Sequence, residues 1–322
     1  MKPIKITSLD SDDLLKIRWC VGNVCNFKCA YCESNKGDYA YPKNVGMIHN
    51  NFYKLLETYS KQGKKRFELE LSGGEPTLWP ELGMFVTTIN KLYDIDMKLI
   101  TNGSRTLRWW NKYAKQFSKV VFSFHHKQAD IDHFINVVDL VVSKGVDVHC
   151  LVLMDPNEFD KCVDSINYMK KNRKRKWFIE SRPVFPIETF PVTYTEEQKK
   201  YMKNDLKALP GIGWFLKNWK NLKPYGSVVE FENGKTKKVN YTYHNLNYNT
   251  FKGWKCDIEK ENIYIHWDGV LQGSCGQGLF DKPYNIYDTN FIKEFNPVVK
   301  TLTCQRDCCW CQPETHISKS LS

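Results

Sequence analysis

The sequence predicts an α/β fold with a mainly parallel sheet, followed by a smaller cysteine-rich module. Over about the first 185 residues, short apolar or β-branched segments alternate with segments of helical periodicity. Twelve cysteines are unevenly distributed, with four within residues 20–32 and six within residues 256–311. Alternating strands and helices imply parallel strands joined by right-handed crossovers. A doubly wound open sheet and a partial barrel both satisfy this pattern.

The individual elements follow from periodicity and turn residues. Strands are predicted at 16–21, 66–71, 97–101, 119–124, 146–154 and 176–182. Helices are predicted at 47–62, 80–93, 105–117, 129–144 and 157–172. The fourth helix has the clearest apolar stripe, formed by Ile131, Phe134, Ile135, Val138 and Val142. Beyond residue 183 the alternation ends, and two further helices are predicted at about 195–208 and 212–220.

Composition divides the chain into three parts. We predict a first domain over 1–185, a basic and aromatic connecting region over 186–250, and a cysteine-rich module over 251–322. Lys and Arg total 47 against 36 Asp and Glu, a net charge of +11, which favours acidic partners such as nucleic acid. The densest basic run, 170–176, is interpreted as a solvated cap at a helix C-terminus. The mixture of Lys and aromatic residues over 196–240 suits either a nucleic acid contact or an amphipathic cover.

The N-terminal residues and the cysteines bear on the compartment. Residues 1–13 lack the apolar stretch of a secretion signal, and no apolar run approaches the ~20 residues of a membrane span. We therefore expect a cytoplasmic protein with no membrane association. In that compartment the cysteines stay reduced, so metal binding is favoured over a disulfide framework.

The first cysteine group follows the first predicted strand. Cys25, Cys29 and Cys32 have C-x3-C-x2-C spacing. Three thiolates on one loop can hold three irons of a [4Fe–4S] cluster and leave the fourth iron open for chemistry. The alternative is a zinc site, which normally takes four protein ligands. Cys20 would be the fourth, but it lies inside the predicted strand.

The triplet, with Tyr31 as its aromatic residue, resembles the C-x3-C-x-aromatic-C signature of the radical S-adenosylmethionine (SAM) superfamily. The resemblance covers about residues 17–182. It implies a partial (β/α)6 barrel of the TIM type rather than an open sheet. It also implies reductive cleavage of SAM at the cluster to a 5′-deoxyadenosyl radical, which abstracts hydrogen from a substrate. An electron donor such as a flavodoxin or ferredoxin is then expected.

The same resemblance assigns SAM contacts at the ends of predicted strands. Gly73, Gly74 and Glu75 match the segment that binds the amino group of SAM, although Gly-Gly-Glu-Pro could also be a tight turn. Thr101, Asn102 and Ser123 match polar positions that contact the SAM ribose and carboxylate, with turn caps as the alternative. The adenine-binding strand would be 148–154, without a glycine-rich motif to assign single residues.

Three further polar residues lie near strand ends. His125 rather than His126 is expected to point inward, by strand alternation, and is a candidate catalytic residue. Glu180 and Arg182 share one side of the last predicted strand. Arg182 could clamp a carboxylate or phosphate of the cofactor or substrate, or the two could pair with each other.

The second cysteine group begins around a predicted β-hairpin with Asp268-Gly269 at its turn. Cys256 and Cys275 flank it, and two ligands from Cys304, Cys308 and Cys311 would complete a site, with Cys309 a weaker candidate. The arrangement resembles the SPASM and twitch modules that follow radical SAM barrels, although its opening departs from theirs by one residue. Six cysteines suit one auxiliary [4Fe–4S] cluster, and a zinc ribbon is the alternative. Because an isolated hairpin is marginal in water, we expect the metal to supply much of its folding energy.

These expectations combine into a radical SAM enzyme that modifies a peptide, a protein or a small molecule. Since 24 residues precede Cys25, we expect no separate leader-peptide recognition domain in front of it. Two alternatives are radical SAM modification of nucleic acid or a nucleotide, and a non-catalytic Fe–S or zinc protein that binds nucleic acid. The Gly-Gly-Glu segment disfavours the last, because such a protein needs no contact for a SAM ammonium.

Overall fold

A computed structural model describes residues 2–10, 12–32, 41–184, 192–208, 226–239, 250–272, 282–305, 309 and 317–321. The strands are β1 (Pro3–Ser8), β2 (Leu14–Cys20), β3 (Arg66–Ser72), β4 (Ile95–Thr101), β5 (Lys119–Phe124), β6 (Asp147–Met154), β7 (Phe178–Pro183), β8 (Ser227–Phe231), β9 (Thr236–Val239), β10 (Lys255–Cys256), β11 (Asn262–Ile265), β12 (Val270–Gln272), β13 (Tyr284–Asn285), β14 (Leu302–Thr303) and β15 (Lys319–Ser320). The helices are α1 (Val45–Lys61), α2 (Leu82–Leu92), α3 (Leu107–Tyr113), α4 (Ile131–Ser143), α5 (Phe159–Asn172), α6 (Glu196–Ala208), α7 (Ile258–Glu261) and α8 (Phe291–Glu294). Within these ranges no helix combines the length and the apolar composition that crossing a membrane requires.

The chain forms two compact units, neither of which is continuous in sequence. The first unit comprises Met1–Trp19, Asn44–Leu69 and Lys220–Ser322, and the second comprises Cys20–Lys43 and Glu70–Trp219. The predicted boundaries at 185 and 250 stay predictions. The helix predicted at 212–220 lies outside the described residues.

The second unit has the predicted α/β alternation. Strands β4, β5, β6 and β7 are neighbours in that order, and each adjacent pair is parallel. Buried and half-buried residues alternate along β5, β6 and β7, and α4 and α5 pack against β6. One face of the sheet is therefore covered by helices, and the alternate residues lie on the other face. The mixed α/β fold is confirmed.

Local capping explains where these helices begin. The Asp130 carboxylate accepts hydrogen bonds from the backbone N–H groups of Asp132 and His133, both at 3.0 Å, at the start of α4. Asp155 likewise accepts from the Asn157 N–H at 3.0 Å, where one turn of 3-10 helix precedes α5. This single turn separates β6 from α5.

The first unit contains a six-stranded antiparallel sheet that the sequence did not predict. Its strand order is β14-β10-β15-β1-β8-β9. A cluster of buried side chains lies against it, namely Ile6, Val229, Phe231, Val239, Phe251 and Trp254. Strand β1 pairs with β8 and β15, which are more than 200 residues away in sequence. Such pairing cannot be found from local periodicity.

The hairpin near the C-terminal cysteines is present but not isolated. Strands β11 and β12 pair around Gly269, which has φ +87°. Strand β11 also pairs in parallel with β2, and β12 pairs with β13. Ile263, Ile265 and Leu271 are fully buried. The premise that the hairpin is isolated is therefore wrong, because neighbouring strands and apolar burial stabilise it. The contribution of metal–thiolate bonds to its folding energy stays a prediction.

Candidate functional site

The cysteine triplet lies on a loop of the second unit that begins after β2. Phe27 is buried within this loop, and its N–H donates to Cys25 Sγ at 3.3 Å. The Cys32 N–H donates to the Cys29 carbonyl at 3.2 Å. Asn26, Lys28 and Cys32 are exposed. The loop is thus anchored by an aromatic side chain and has an exposed outer side.

The three thiols share one electrostatic environment. Burial raises the pKa of Cys25, and the charges of Glu75 and Cys32 raise it further. Burial, followed by repulsion from Cys32 and Cys25, raises the pKa of Cys29 to about 12. Among the residues described, no three His, Cys, Asp or Glu side chains come close enough to hold a metal ion as they stand. Thiolates that repel one another still suit an iron cluster, because the positive charge of its iron atoms attracts each thiolate and offsets the repulsion between them.

Gly73 and Gly74 lie directly against the backbone of the cysteine loop. The Gly74 N–H donates to the Gly22 carbonyl at 3.0 Å, and the Glu75 N–H donates to the Val24 carbonyl at 2.9 Å. A Cβ at Gly73, where φ is +127°, would lie 2.4 Å from Gly22 O, and one at Gly74 would lie 2.2 Å from Val24 O. The glycines are therefore required for close packing within the protein.

Glu75 has a fully buried carboxylate that accepts hydrogen bonds from neutral donors. Its Oε1 accepts from the Thr77 N–H at 3.0 Å, the Thr77 hydroxyl at 2.5 Å and the Thr101 hydroxyl at 2.7 Å. Its Oε2 accepts from the Asn102 N–H at 2.6 Å. Burial raises the pKa of Glu75, although each of these hydrogen bonds lowers it. No Lys, Arg or His of the described ranges lies within ion-pair distance of it.

Asn102 and Tyr41 connect Glu75 to the cysteine loop. Asn102 Nδ2 donates to Asn26 Oδ1 at 3.0 Å and lies 3.8 Å from Cys25 Sγ. The Tyr41 hydroxyl lies 2.8 Å from the Val24 carbonyl and 2.7 Å from the Glu75 carbonyl. Tyr41, Asn26 and Thr77 were not identified from the sequence. Their positions beside Glu75 and the cysteine loop follow from the loop geometry, and no sequence motif predicts them.

His125 and His126 have different surroundings. The His125 ring stacks on Tyr31 with centroids 5.9 Å apart, and its Nδ1 lies 3.1 Å from the Tyr31 hydroxyl oxygen. His126 instead lies 3.6 Å from the Glu158 carboxylate. Burial lowers the pKa of His125 to about 4. His125 is therefore neutral near pH 7 and contacts the cysteine loop.

Glu180 and Arg182 form an ion pair on β7. Arg182 Nη2 lies 2.8 Å from Glu180 Oε1, and His149 Nε2 lies 2.8 Å from Glu180 Oε2. Burial raises the pKa of Glu180, but His149 and Arg182 outweigh it, so the pKa is lowered. Of the two alternatives for Arg182, the structure shows the pairing. Ser123 is half-buried on β5, opposite Leu151 of β6.

Three of the C-terminal cysteines are described. Cys256 is on β10, which pairs with β14, and the Cys304 N–H donates to the Trp254 carbonyl at 2.8 Å. Cys304 and Cys309 both pack against the buried cluster of the first unit. The other predicted ligands, Cys275, Cys308 and Cys311, lie outside the described residues.

Sequence comparison identifies the family to which the cysteine and Gly-Gly-Glu segments point. Residues 19–169 match the family model of the radical SAM superfamily. The GTP 3′,8-cyclase of Staphylococcus haemolyticus (strain JCSC1435) is 24% identical over 231 residues, covering 58% of this chain and 67% of that protein. The GTP 3′,8-cyclase of Staphylococcus aureus (strain JH9) is 24% identical over 182 residues, covering 51% of this chain and 53% of that protein. The chain thus spans between about half and two thirds of the length of these relatives.

Structural comparison agrees with the family match. The structure of anSMEcpe with bound AdoMet has a TM-score of 0.53 at 15% identity and covers 88% of this chain and 81% of that chain. Streptococcus suis SuiB bound to S-adenosylmethionine has a TM-score of 0.52 at 11% identity and covers 87% of this chain and 64% of that chain. At such identities the likeness shows the fold. Residues 19–169 of this chain form a radical SAM domain.

Proposed function

We propose that this chain binds SAM at a [4Fe–4S] cluster held by Cys25, Cys29 and Cys32. The observation that carries the proposal is the buried Glu75 carboxylate, whose donors among the described residues are neutral and which is hydrogen-bonded through Asn102 to the cysteine loop. A buried carboxylate without a cation is costly. The ammonium of SAM supplies the missing positive charge.

The residues around Glu75 have distinct roles in this proposal. Thr101 and Asn102 fix the carboxylate and contact SAM at the end of β4, and Ser123 contacts it from β5. Tyr31, Gly73 and Gly74 shape the loop on which SAM lies. The parallel strands β4 to β7 support a partial (β/α)6 barrel around them. When reduced by one electron, the bound cluster and SAM supply a carbon radical that takes a hydrogen atom from the substrate.

The proposed substrate is a peptide or protein. Support comes from structures that resemble most of this chain, since anSMEcpe was solved with the Kp18Cys peptide and SuiB with its precursor peptide SuiA. A nucleotide is the second candidate, because the relatives named above are GTP 3′,8-cyclases. Adding GTP separates the two, since only a nucleotide enzyme consumes it while forming 5′-deoxyadenosine.

Further elements of the proposal concern the C-terminal cysteines and the electron source. We propose a twitch-like module with one auxiliary [4Fe–4S] cluster, supported by the position of Cys256 and Cys304 on or beside paired strands β10 and β14. The reductant is proposed to be a flavodoxin or ferredoxin. Free thiols as cluster ligands favour a reducing compartment, the cytoplasm.

The proposal is tested by anaerobic reconstitution with iron and sulfide, followed by incubation with SAM and dithionite. We expect 5′-deoxyadenosine from the wild type and none from a variant with Cys25, Cys29 and Cys32 all changed to Ala. That variant should also lose about four irons. A variant with Cys162→Ala, a buried cysteine on α5 outside both groups, is the matched control. Undiminished 5′-deoxyadenosine formation in the triple variant would refute the proposal.

A further inference from the structure

The Tyr31 hydroxyl lies between the Cys29 sulfur and the His125 ring. Besides burial, which raises both pKa values, interaction with the Tyr31 side chain lowers the pKa of Cys29, and interaction with Cys29 raises the pKa of Tyr31. The Tyr31 oxygen is 3.1 Å from His125 Nδ1. A tyrosine hydroxyl has one hydrogen and can donate it to only one of these two neighbours. The direction of this hydrogen bond therefore depends on which nitrogen of His125 carries a hydrogen.

The His125 ring is held in place from two sides. The Phe27 ring meets it edge-on with centroids 6.0 Å apart. The His125 carbonyl accepts from the N–H groups of Gln128 and Ala129, both at 2.9 Å, and Gln128 Oε1 accepts from the Lys28 N–H at 3.2 Å. The turn after β5 is thus tied to the cysteine loop by hydrogen bonds at both the main chain and the side chain. These hydrogen bonds hold the His125 backbone beside the cysteine loop, and the Phe27 ring packs against the imidazole.

When Cys29 binds iron, its sulfur carries no hydrogen and can only accept. If Tyr31 donated to His125, two acceptors, the tyrosine oxygen and the sulfur, would face each other without a hydrogen. The favourable arrangement has the Tyr31 hydrogen on the sulfur side and a hydrogen on Nδ1 that donates to the Tyr31 oxygen. A neutral His125 has one such hydrogen to place, and a protonated one also carries a hydrogen on Nδ1.

We propose that His125 is a positioning residue whose Nδ1–H donates to the Tyr31 oxygen and thereby directs the Tyr31 hydroxyl hydrogen to the Cys29 sulfur, raising the reduction potential of the cluster. The inference rests on the proposed function, since it needs a cluster on Cys29. Reduction adds negative charge that is shared with the cysteine sulfurs, and a hydrogen bond to one of them stabilises that charge. It also gives the aromatic residue of the cysteine motif a role besides packing.

The test is an EPR-monitored redox titration of the reconstituted protein in the absence of SAM. Tyr31→Phe removes the hydroxyl and is expected to shift the midpoint potential to a more negative value. His125→Leu removes the Nδ1 donor and should shift it in the same direction. His125→Asn places a carboxamide N–H near the position of Nδ1, so it should return the potential toward the wild-type value. His126→Leu, at the neighbouring histidine that faces Glu158, should leave the potential unchanged.

The double variant Tyr31→Phe, His125→Leu separates an effect through Tyr31 from a direct one. If His125 acts through the hydroxyl, the double variant should have the potential of Tyr31→Phe alone. A further negative shift in the double variant, or equal potentials in His125→Leu and the wild type, would overturn the role of His125. An unchanged potential in Tyr31→Phe would overturn the hydrogen bond to sulfur.

A second measurement reports the hydrogen bond at sulfur directly and does not depend on the midpoint potential. Resonance Raman spectra of the wild type in H2O and D2O report hydrogen bonding at cysteine sulfur through the Fe–S stretching bands. We expect a deuterium shift that His125→Leu diminishes and His125→Asn retains. The absence of any shift in the wild type would contradict the inference. A wild type that binds no four-iron cluster at all would instead contradict the proposed function.

Discussion

At the scale of single residues, the proposed SAM site depends most on Glu75. A fully buried carboxylate surrounded by hydroxyl and N–H donors is stabilised in its charged form by those donors, yet burial still raises its pKa. A bound ammonium would lower that pKa and be bound more tightly in return, because protonation and ligand binding are linked. The affinity for SAM is therefore expected to depend on the ionisation of Glu75, and the pKa of Glu75 on whether SAM is bound.

Changing Glu75 to Gln should weaken SAM binding while the cluster still assembles. Loss of a charge-assisted hydrogen bond of about 1.5–3 kcal/mol corresponds to an affinity lower by about 10- to 100-fold. Since the raised pKa means that Glu75 takes up a proton as the pH falls, wild-type affinity should decrease toward acidic pH and that of Glu75→Gln should not. Equilibrium binding of SAM to the reconstituted protein measures both.

Glu81→Gln is the matched control for this prediction. Glu81 precedes α2, and its side chain makes no capping hydrogen bond, so the same chemical change there should leave SAM affinity unaltered. Iron content is measured in both variants to show that the cluster is retained. Equal affinity in Glu75→Gln and the wild type would remove Glu75 from the SAM site.

At this scale the sequence identifies residues that follow strands and carry polar groups, such as Thr101 and Asn102. It does not identify their partners. Asn26, Thr77 and Tyr41 reach the site only because the loop after β2 and the turn after β3 lie against each other. Hydrogen-bond partners of this kind depend on backbone placement over distances that no local pattern encodes.

At the scale of elements, the contact between the Gly-Gly segment and the cysteine loop defines the site. Two backbone hydrogen bonds, from Gly74 and Glu75 to the carbonyls of Gly22 and Val24, join the turn after β3 to this loop. Gly73 and Gly74 were predicted to contact SAM. The structure shows that the space beside them is occupied by the backbone of Gly22 and Val24. The strands and helices of the second unit were predictable because each has a regular apolar period. Strands β1, β8 and β9 were not, since their pairing partners are distant in sequence.

Gly74→Ala should disturb this contact between elements. Its Cβ would lie 2.2 Å from Val24 O and 2.6 Å from Val24 C, which are backbone atoms that cannot move aside as a side chain could. Overpacking of this kind costs about 1–3 kcal/mol in the free energy of unfolding. We also expect less iron per chain after reconstitution, because the displaced segment carries Cys25. Denaturant unfolding and iron analysis test the two effects.

Gly46→Ala provides the comparison within this chain. A Cβ at Gly46, in α1, would meet only Asn44 Oδ1 at 3.8 Å, an ordinary contact. Alanine favours helices over glycine by about 1 kcal/mol, so this variant should be as stable as the wild type or more stable. If Gly74→Ala matched it in both stability and iron content, the close packing of the two segments would not matter for cluster assembly.

At the scale of the whole molecule, the open question is how many metal centres the chain carries. The family match ends at residue 169, before the second cysteine group. Cys256, Cys304 and Cys309 belong to a unit with its own buried cluster and a six-stranded sheet. Its hairpin is paired on both sides with other strands.

We predict about eight irons per chain after anaerobic reconstitution, and about four in a variant with Cys256→Ala and Cys275→Ala, from the ligand count of two four-iron clusters. This variant should still form 5′-deoxyadenosine in the absence of substrate, because Cys25, Cys29 and Cys32 are unchanged, but it should lose product formation. Since the hairpin is supported by β2 and β13, its resistance to proteolysis in this variant should be close to that in the wild type.

Metal analysis of the wild type distinguishes the auxiliary cluster from a zinc site. One equivalent of zinc with about four irons would contradict the auxiliary cluster and indicate a structural zinc site. Changing Cys162, a buried cysteine on α5, to Ala controls for the loss of a thiol and should leave the iron content at its wild-type value.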